Sequence, residues 1–317
     1  MVAAEAKFGL SRRGALFAGF GGLCLCCAPF AAGANSLTVD EVASGLFMRR
    51  GVDQDATATN IDAIANIGFI VGADAVLVTD SGGSLADGRW LRGQIKAKSD
   101  KPIRYVVLSH VHPDHCFGAG AFAEDRPVFI GHAKLPAALD ARGEFYRKGL
   151  GDIIGAQNVG PVVMPTRLVA DTDEIDLGGR RITFKAHGPA HTTCDLSMRD
   201  TRTGLLLPAD LLFVGRVPSL DGNLIGWLKE LDVLDGMGAV KAVPGHGPVT
   251  VELGAATGAL RAYLTVLRDG VRAEIKGEGS IAKAVETVAR SERAKWILFD
   301  DYNGRNVTEA YKELEWE

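Results

Sequence analysis

The sequence predicts an α/β fold: one domain of alternating strands and helices, followed by a helical extension. Three observations predict it. Between residues 64 and 251, short apolar runs bounded by Gly, Pro and Asp alternate with stretches of helical period. Side chains of metal-ligand type recur at the ends of the strand runs. From residue 252 onward the strand patterns cease and helical spacing continues to the C-terminus.

The 317 residues are 47% hydrophobic and 23% charged, ordinary for a soluble globular protein, and the formal net charge is −4. No basic stripe or aromatic-interleaved Lys/Arg run appears, which argues against nucleic acid as a partner. Residues 1–34 read as an export signal. Lys7, Arg12 and Arg13 precede an apolar run from Ala15 to Phe30, and Ala32-Gly33-Ala34 fits a small-x-small cleavage site. Ser11-Arg12-Arg13-Gly14-Ala15-Leu16 is similar to a twin-arginine signal. Gly14, Gly19, Gly21, Gly22 and Pro29 interrupt a run that is already short for a membrane span. The expectation is therefore cleavage near Ala34, a periplasmic mature protein and no stable membrane anchor. Loss of residues 1–34 removes three basic and one acidic residue, leaving −6, and leaves Cys116 and Cys194 as the only cysteines. Two cysteines make no disulfide framework; each is a buried free thiol or a metal-proximal one.

After Gly45-Leu46-Phe47-Met48, residues 64–72 read as a strand and 75–80 as its hairpin partner, with Ala73-Asp74 as the turn. Asp80, at the end of that strand, is either a turn residue or a carboxylate that orients a ligand histidine. Residues 85–98 form an amphipathic helix with Leu85, Trp90, Leu91 and Ile95 apolar, and Arg104 to Leu108 form a buried strand. Val128-Phe129-Ile130 is a strand, and Ala133 to Leu150 is largely helical. Residues 151–165 read as a loop near the mouth of a site, and 166–208 as consecutive strands. Residues 205–213 form an apolar run interrupted by Asp210; a carboxylate there is paired or ligating. Leu224 to Leu234 is a helix, 239–243 a strand, and 252–276 a long helix. Asn306, three residues before Glu309, suggests a capping box for a last helix over 307–314.

The most informative stretch is His110-Val111-His112-Pro113-Asp114-His115, which holds three of the chain's seven histidines. If the chain stays extended through His112, His110 and His112 point to one side. Pro113 keeps His112 out of the helical region and suits the first turn of a helix, which then carries Asp114 and His115. A strand end and a helix start would aim four ligand-type side chains into one volume, and such clustering is metal chemistry. His191, in His187-Gly188-Pro189-Ala190-His191-Thr192-Thr193, and His246, in Pro244-Gly245-His246-Gly247-Pro248, supply further imidazoles near strand ends. Arg216 is either a contact for a substrate anion or a packed, solvated side chain, and Phe213, Val217, Leu224 and Trp227 are candidates for a pocket wall.

These motifs, in this order, resemble the metallo-β-lactamase-fold hydrolase superfamily over about residues 40–250. The resemblance implies an αββα sandwich with a C-terminal helical extension, divided as signal 1–34, catalytic domain 35–251 and helical tail 252–317. It implies that His110, His112 and His191 hold one metal, that Asp114, His115 and His246 hold a second, and that Asp210 bridges them, with Asp80 behind a ligand. Its Gly-His-Thr-like context fits His191 better than His187, and His132 lies outside all motifs. Residues 64–72, 131–136, 305–311 and 314–317 are similar to the quinoprotein relay system zinc metallohydrolases, a branch near SoxH; this implies periplasmic quinoprotein or sulfur oxidation systems as partners. True β-lactamases of the superfamily usually lack the bridging aspartate, and the helical tail is similar to that of glyoxalase II but without a glutathione-binding set.

Imidazole and carboxylate ligands suit Zn²⁺, and iron and manganese accept the same set. Two zinc ions sharing a hydroxide imply hydrolysis of a small ester, thioester, lactone or amide, with Asp114 and Asp210 ligating, orienting and able to accept a proton. The competing expectations are a mononuclear iron persulfide dioxygenase using His110, His191 and Asp210, and a metal-binding accessory protein without turnover.

Overall fold

The structure is a computed structural model that describes residues 37–317. The predicted signal, its twin-arginine pair and its cleavage site lie outside the described residues.

Two mixed sheets form the centre. The first runs in the spatial order β1 (Asp40–Ala43), β2 (Leu46–Arg49), β3 (Ile67–Val71), β4 (Val76–Thr79), β5 (Ile103–Leu108), β6 (Val128–His132), β7 (Arg167–Val169). The second runs β13 (Val251–Glu252), β12 (Lys241–His246), β11 (Leu206–Phe213), β10 (Leu196–Asp200), β9 (Arg181–Ala186), β8 (Thr172–Asp176). Strand side chains alternate, and the two faces of each sheet feed different cores. From β4 and β5, Leu77 and Val107 join Ile182, Phe184, Met198 and Leu207 of the second sheet. Their neighbours Val76, Val78, Val106 and Leu108 instead pack on Leu91 and Ile95 of α1 (Leu85–Lys98) and on Leu135 and Leu139 of α3 (Leu135–Ile154).

The outer face of the second sheet is covered in the same way. Leu206 and Leu212 meet α4 (Leu224–Gly236), α5 (Leu253–Lys276), α6 (Ile281–Thr287) and α7 (Phe299–Leu314) in one cluster that includes Trp227, Leu260, Leu264 and Val307. The layers are helix, sheet, sheet, helix, the αββα arrangement implied above. Both faces of β4 and of the second half of β5 are buried, which is why Val76-Leu77-Val78 and Val106-Val107-Leu108 read as continuous apolar runs. Buried ion pairs tie the layers together. Arg180 donates to Asp200 Oδ1 and Oδ2 at 3.2 and 2.6 Å and to the Val71 carbonyl of the other sheet at 2.8 Å.

Several expected boundaries move, each for a tertiary reason. The strand expected over 64–72 covers only Ile67–Val71. Residues 64–66 are instead bound to the end of β12: Asn66 N–H donates to the Gly245 carbonyl at 2.7 Å, and Asn66 Nδ2 to the Pro244 carbonyl at 2.8 Å. The helix expected to end at Leu150 continues through the buried Ile154 and stops at Gly155, whose φ of 89° a helix cannot use. Asn306 is no cap. α7 begins at Phe299, and Asn306 is buried inside it, bonding the Leu220 N–H, the Pro218 carbonyl and the Tyr263 hydroxyl. Among the described residues, no helix is long and apolar enough to cross a membrane.

Candidate metal centre

The parallel pairs β4–β5 and β11–β12 deliver their ends to one edge of the sandwich. β5 ends at Leu108, and His110 and His112 follow; α2 (Pro113–Cys116) then begins with Pro113 at its first position and carries Asp114 and His115. β12 ends on His246, and the loop after β9 brings His191. Asp210 lies within β11 just after Ala209, whose φ is 49°, at a register shift against β12. Such an irregularity re-aims the next side chain. Gly245 completes the fit, since a Cβ there would lie 1.8 Å from Asp210 Oδ1.

All seven predicted residues are brought together, in two groups. His110, His112, His191 and Asp210 offer ligand atoms that all lie within 4.8 Å of one another, and so do Asp114, His115 and His246. Asp210 touches both groups. Its Oδ2 is 3.4 Å from His191 Nε2 and 3.4 Å from His246 Nε2, and its Oδ1 is 3.0 Å from His115 Nε2. His112 is the most open, with its side chain 15% accessible, and the side chains of the other six are at most 12% accessible.

Each imidazole is fixed by its outward nitrogen. His191 Nδ1 donates to the Ser219 carbonyl at 2.6 Å and His246 Nδ1 to the Ile64 carbonyl at 3.0 Å. His115 Nδ1 donates to Asp80 Oδ2 at 2.8 Å, and His112 Nε2 to Asp221 Oδ2 at 3.2 Å. His110 Nδ1 meets Ser109 Oγ at 3.0 Å. Carbonyls and carboxylates only accept, so in the neutral form each of these four rings carries its proton outside and turns a lone pair inward. The result is electrostatically odd. His191 Nε2 and His112 Nδ1 face each other at 2.9 Å with lone pairs on both. His115 Nε2 and Asp210 Oδ1, 3.0 Å apart, are buried without any hydrogen-bond partner. Inward lone pairs and carboxylates crowd a common space, an arrangement that a cation relieves, so the donor set fits metal ions.

Charge follows the same division. Burial pushes His110 down and His191 to about 3, keeping both neutral. Burial alone would raise Asp210, but His115 and His246 hold it well below the usual carboxylate range, and Asp114 is likewise low. Burial opposes the charged form of His115, yet Asp210, Asp114 and Asp80 outweigh it and raise this group.

The structure decides the open alternatives. Asp80 holds a ligand-type histidine rather than merely turning the chain, and its Oδ1 also accepts the Ser109 N–H at 2.8 Å. His187 lies apart from both groups, bonded to Glu230 Oε2 and Ser197 Oγ, each at 2.7 Å, and the buried His132 meets the His187 carbonyl at 3.3 Å. Asp221 was not singled out from the sequence. It accepts from His112, from Arg142 and from the Tyr146 hydroxyl, and the only sequence signal for it is a carboxylate in a Ser-Leu-Asp-Gly-Asn turn. A cleft of about 500 Å³ opens over the centre. Its walls include Phe213 and Val217 as expected, whereas Leu224 and Trp227 are in the core, and residues 151–165 do not line it. α7 and Tyr146 of α3 line it instead.

The metallo-beta-lactamase superfamily model matches residues 61–246, more than half of the chain. The chain belongs to the metallo-beta-lactamase superfamily. An acyl-coenzyme A thioesterase of Gallus gallus is 30% identical over 189 residues, covering 54% of this chain and 63% of that protein. A linear primary-alkylsulfatase of a Pseudomonas strain is 22% identical over 215 residues, covering 56% of this chain and 40% of that protein. The chain thus spans less than two thirds of the length of either relative. Among solved structures, a metallo-beta-lactamase from Pontibacter korlensis superposes with a TM-score of 0.60 at 15% identity, covering 72% of this chain and 99% of its own. A stereoselective inverting sec-alkylsulfatase from Pseudomonas sp. superposes with a TM-score of 0.70 at 16% identity, covering 88% and 50%. At these identities the superpositions show the fold alone.

Proposed function

We propose that the chain is an exported dinuclear zinc hydrolase acting on a small ester, thioester, lactone or amide. The carrying observation is that the imidazoles are pinned from outside while their inner lone pairs converge with two carboxylates. His110, His112 and His191 would hold one ion, Asp114, His115 and His246 the other, and Asp210 would bridge them. When bound, such a pair supplies a water of pKa near ~7 and polarises a substrate oxygen. The chain's own residues do the rest. Asp80, Asp221, Ser109 and the Ser219 and Ile64 carbonyls keep the rings in register. Asp114 and Asp210 line the cleft in ionised form, where as ligands they would orient the water that the ions activate. Phe213 and Val217 give the cleft an apolar wall that holds the substrate body away from bulk water.

The thioesterase relative supports acyl chemistry, and the alkylsulfatase relative adds a sulfate ester to the substrates to be tried. The second group, Asp114, His115 and His246, supports two ions over a mononuclear iron dioxygenase, which would need only the first. Export to the periplasm, a place in the quinoprotein relay branch and a partnership with a periplasmic redox system belong to the same proposal. They rest on residues 1–34 and on the sequence resemblance.

The test is elemental analysis of the chain lacking residues 1–34. Its zinc-loaded form is then assayed on an ester, thioester, lactone, amide, sulfate ester, β-lactam and persulfide, with His112→Ala as control. Two zinc ions and acyl-bond turnover lost in His112→Ala are expected, with no useful β-lactam cleavage. Iron-dependent oxygen consumption with the persulfide, and no hydrolysis by the zinc form, would overturn the proposal.

A further inference from the structure

The hydrolytic chemistry leaves one wall of the cleft unused. α7 lines it with Tyr302, Arg305, Thr308 and Glu309, spaced three or four residues apart on one face, while Asn303, Asn306, Val307 and Ala310 face the core. Two of the cleft-lining residues are arginines, and they differ in kind. Arg216 is 5% exposed and committed: it donates to the Gln54 carbonyl, to Asp55 Oδ1 and to the Tyr302 hydroxyl at 3.2, 3.2 and 3.3 Å. The reading of Arg216 as a substrate contact therefore gives way to a structural role. Arg305 is exposed, and no carboxylate of the described residues lies within ion-pair distance of it. Glu309, one turn along the helix, is its natural partner, yet Glu309 pairs with Lys312 at 2.8 Å. Asp221, another carboxylate of the cleft, is taken by Arg142, Tyr146 and His112.

Arg305 is nonetheless held in place. Its guanidinium lies 5.4 Å from the centre of the Tyr302 ring. That ring is anchored by its hydroxyl, which donates to Asp55 Oδ1 at 2.5 Å. Stacking on an anchored ring reduces the freedom the side chain must lose when it binds. An unpaired, supported cation in the wall of a reaction cleft is an anion receptor. One guanidinium presents a two-pronged donor fork that matches a planar carboxylate. A phosphate dianion would call for more cations, and among the described residues the other arginine of this cleft is already paired.

We infer that Arg305 is a specificity-determining residue that binds a carboxylate remote from the scissile bond, so that the substrate is an ester or thioester carrying a distal carboxylate. The inference rests on the hydrolase proposal for the bond that is cleaved, and Arg305 takes no part in the cleavage.

The experiment separates the two. Calorimetry on the zinc-loaded chain lacking residues 1–34 compares adipate with hexanoate, which share one carboxylate for the metal centre and differ in the second. Adipate is expected to bind about tenfold more tightly. In Arg305→Gln that ratio falls toward one, and Arg305→Lys restores part of it. Kinetics on the thioester pair, mono-adipoyl against hexanoyl, should show the KM ratio moving in the same direction while the kcat ratio holds. Circular dichroism melts confirm that the exposed substitution leaves the fold intact. Equal affinities in the parent protein, or a ratio that survives Arg305→Gln, would overturn the inference. If the zinc form cleaves neither these thioesters nor any ester, lactone or amide of the panel, the hydrolase proposal fails, and the calorimetric ratio still judges Arg305.

Discussion

Replacing Asp80 by asparagine takes one acceptor away from a position that needs two. Asp80 Oδ1 accepts the buried Ser109 N–H and Oδ2 accepts His115 Nδ1–H, both at 2.8 Å. Asparagine offers a single oxygen. If that oxygen keeps Ser109, the new amide group faces His115 Nδ1 and drives the imidazole proton to Nε2, the atom aimed at the proposed metal. If it keeps His115, the Ser109 N–H is left buried and unpaired, at a cost of about 1–3 kcal/mol. The backbone does not confuse the result, because Asp80 has a φ of 65° and asparagine tolerates that region. Loss of such an orienting carboxylate weakens metal binding about 10- to 100-fold, which is about 1.4–2.7 kcal/mol. The assay is chelator competition on the zinc-loaded chain lacking residues 1–34, fitted to two sites. One zinc should weaken by that factor and the other by little, because His110, His112 and His191 are oriented by Ser109, Asp221 and the Ser219 carbonyl. Two zinc ions held with parental affinity in Asp80→Asn would refute the role given to Asp80.

Asp210→Ala removes the proposed bridge, so metal stoichiometry after mild dialysis should drop toward one per chain; retention of two with unaltered affinity would exclude a bridging role. Burial raises Asp195 to about 6, above the unfolded value of about 3.9, so its protonated form favours the fold and this contribution is complete below about pH 4. The contribution is lost as pH rises through 6; urea titrations should show the parent losing about 2 kcal/mol against Asp195→Asn between pH 4 and 7, and parallel profiles would contradict it. Asp200→Ala leaves Arg180 buried without its charge partner and should lower unfolding free energy by about 3–5 kcal/mol; a change below 1 kcal/mol would show that the pair is dispensable. Cys116 and Cys194 are buried and free, so the chain lacking residues 1–34 should show two thiols to a titrant only after denaturation, with no reductant needed.

The metal-type residues were legible in the sequence because most of them come from local events. A buried strand, a proline and a helix start place His110, His112, Asp114 and His115 within six positions, and no distant contact is needed to see it. The alternation of apolar runs with helical periods likewise announced the layers, since strands buried on both faces read as continuous apolar runs. Where the sequence pattern misled, a distant partner had intervened. Asn306 has the spacing of a cap, but Pro218, Leu220 and Tyr263 consume its side chain inside α7. Residues 64–66 have strand composition, but Asn66 is occupied with the end of β12, and the Ile64 carbonyl accepts from His246.

By itself, then, the sequence determined the kind of chemistry and the layering, because residue type and short-range period carry both. Only the tertiary structure decided which nitrogen of each histidine faces inward. That choice is made by groups such as the Ser219 and Ile64 carbonyls, which every residue possesses and no composition reveals. It also decided that Arg216 is a buried strut and Arg305 an open charge. The two residues are 89 positions apart in the chain, and their roles differ because the Asp55 carboxylate lies beside one guanidinium and none lies beside the other.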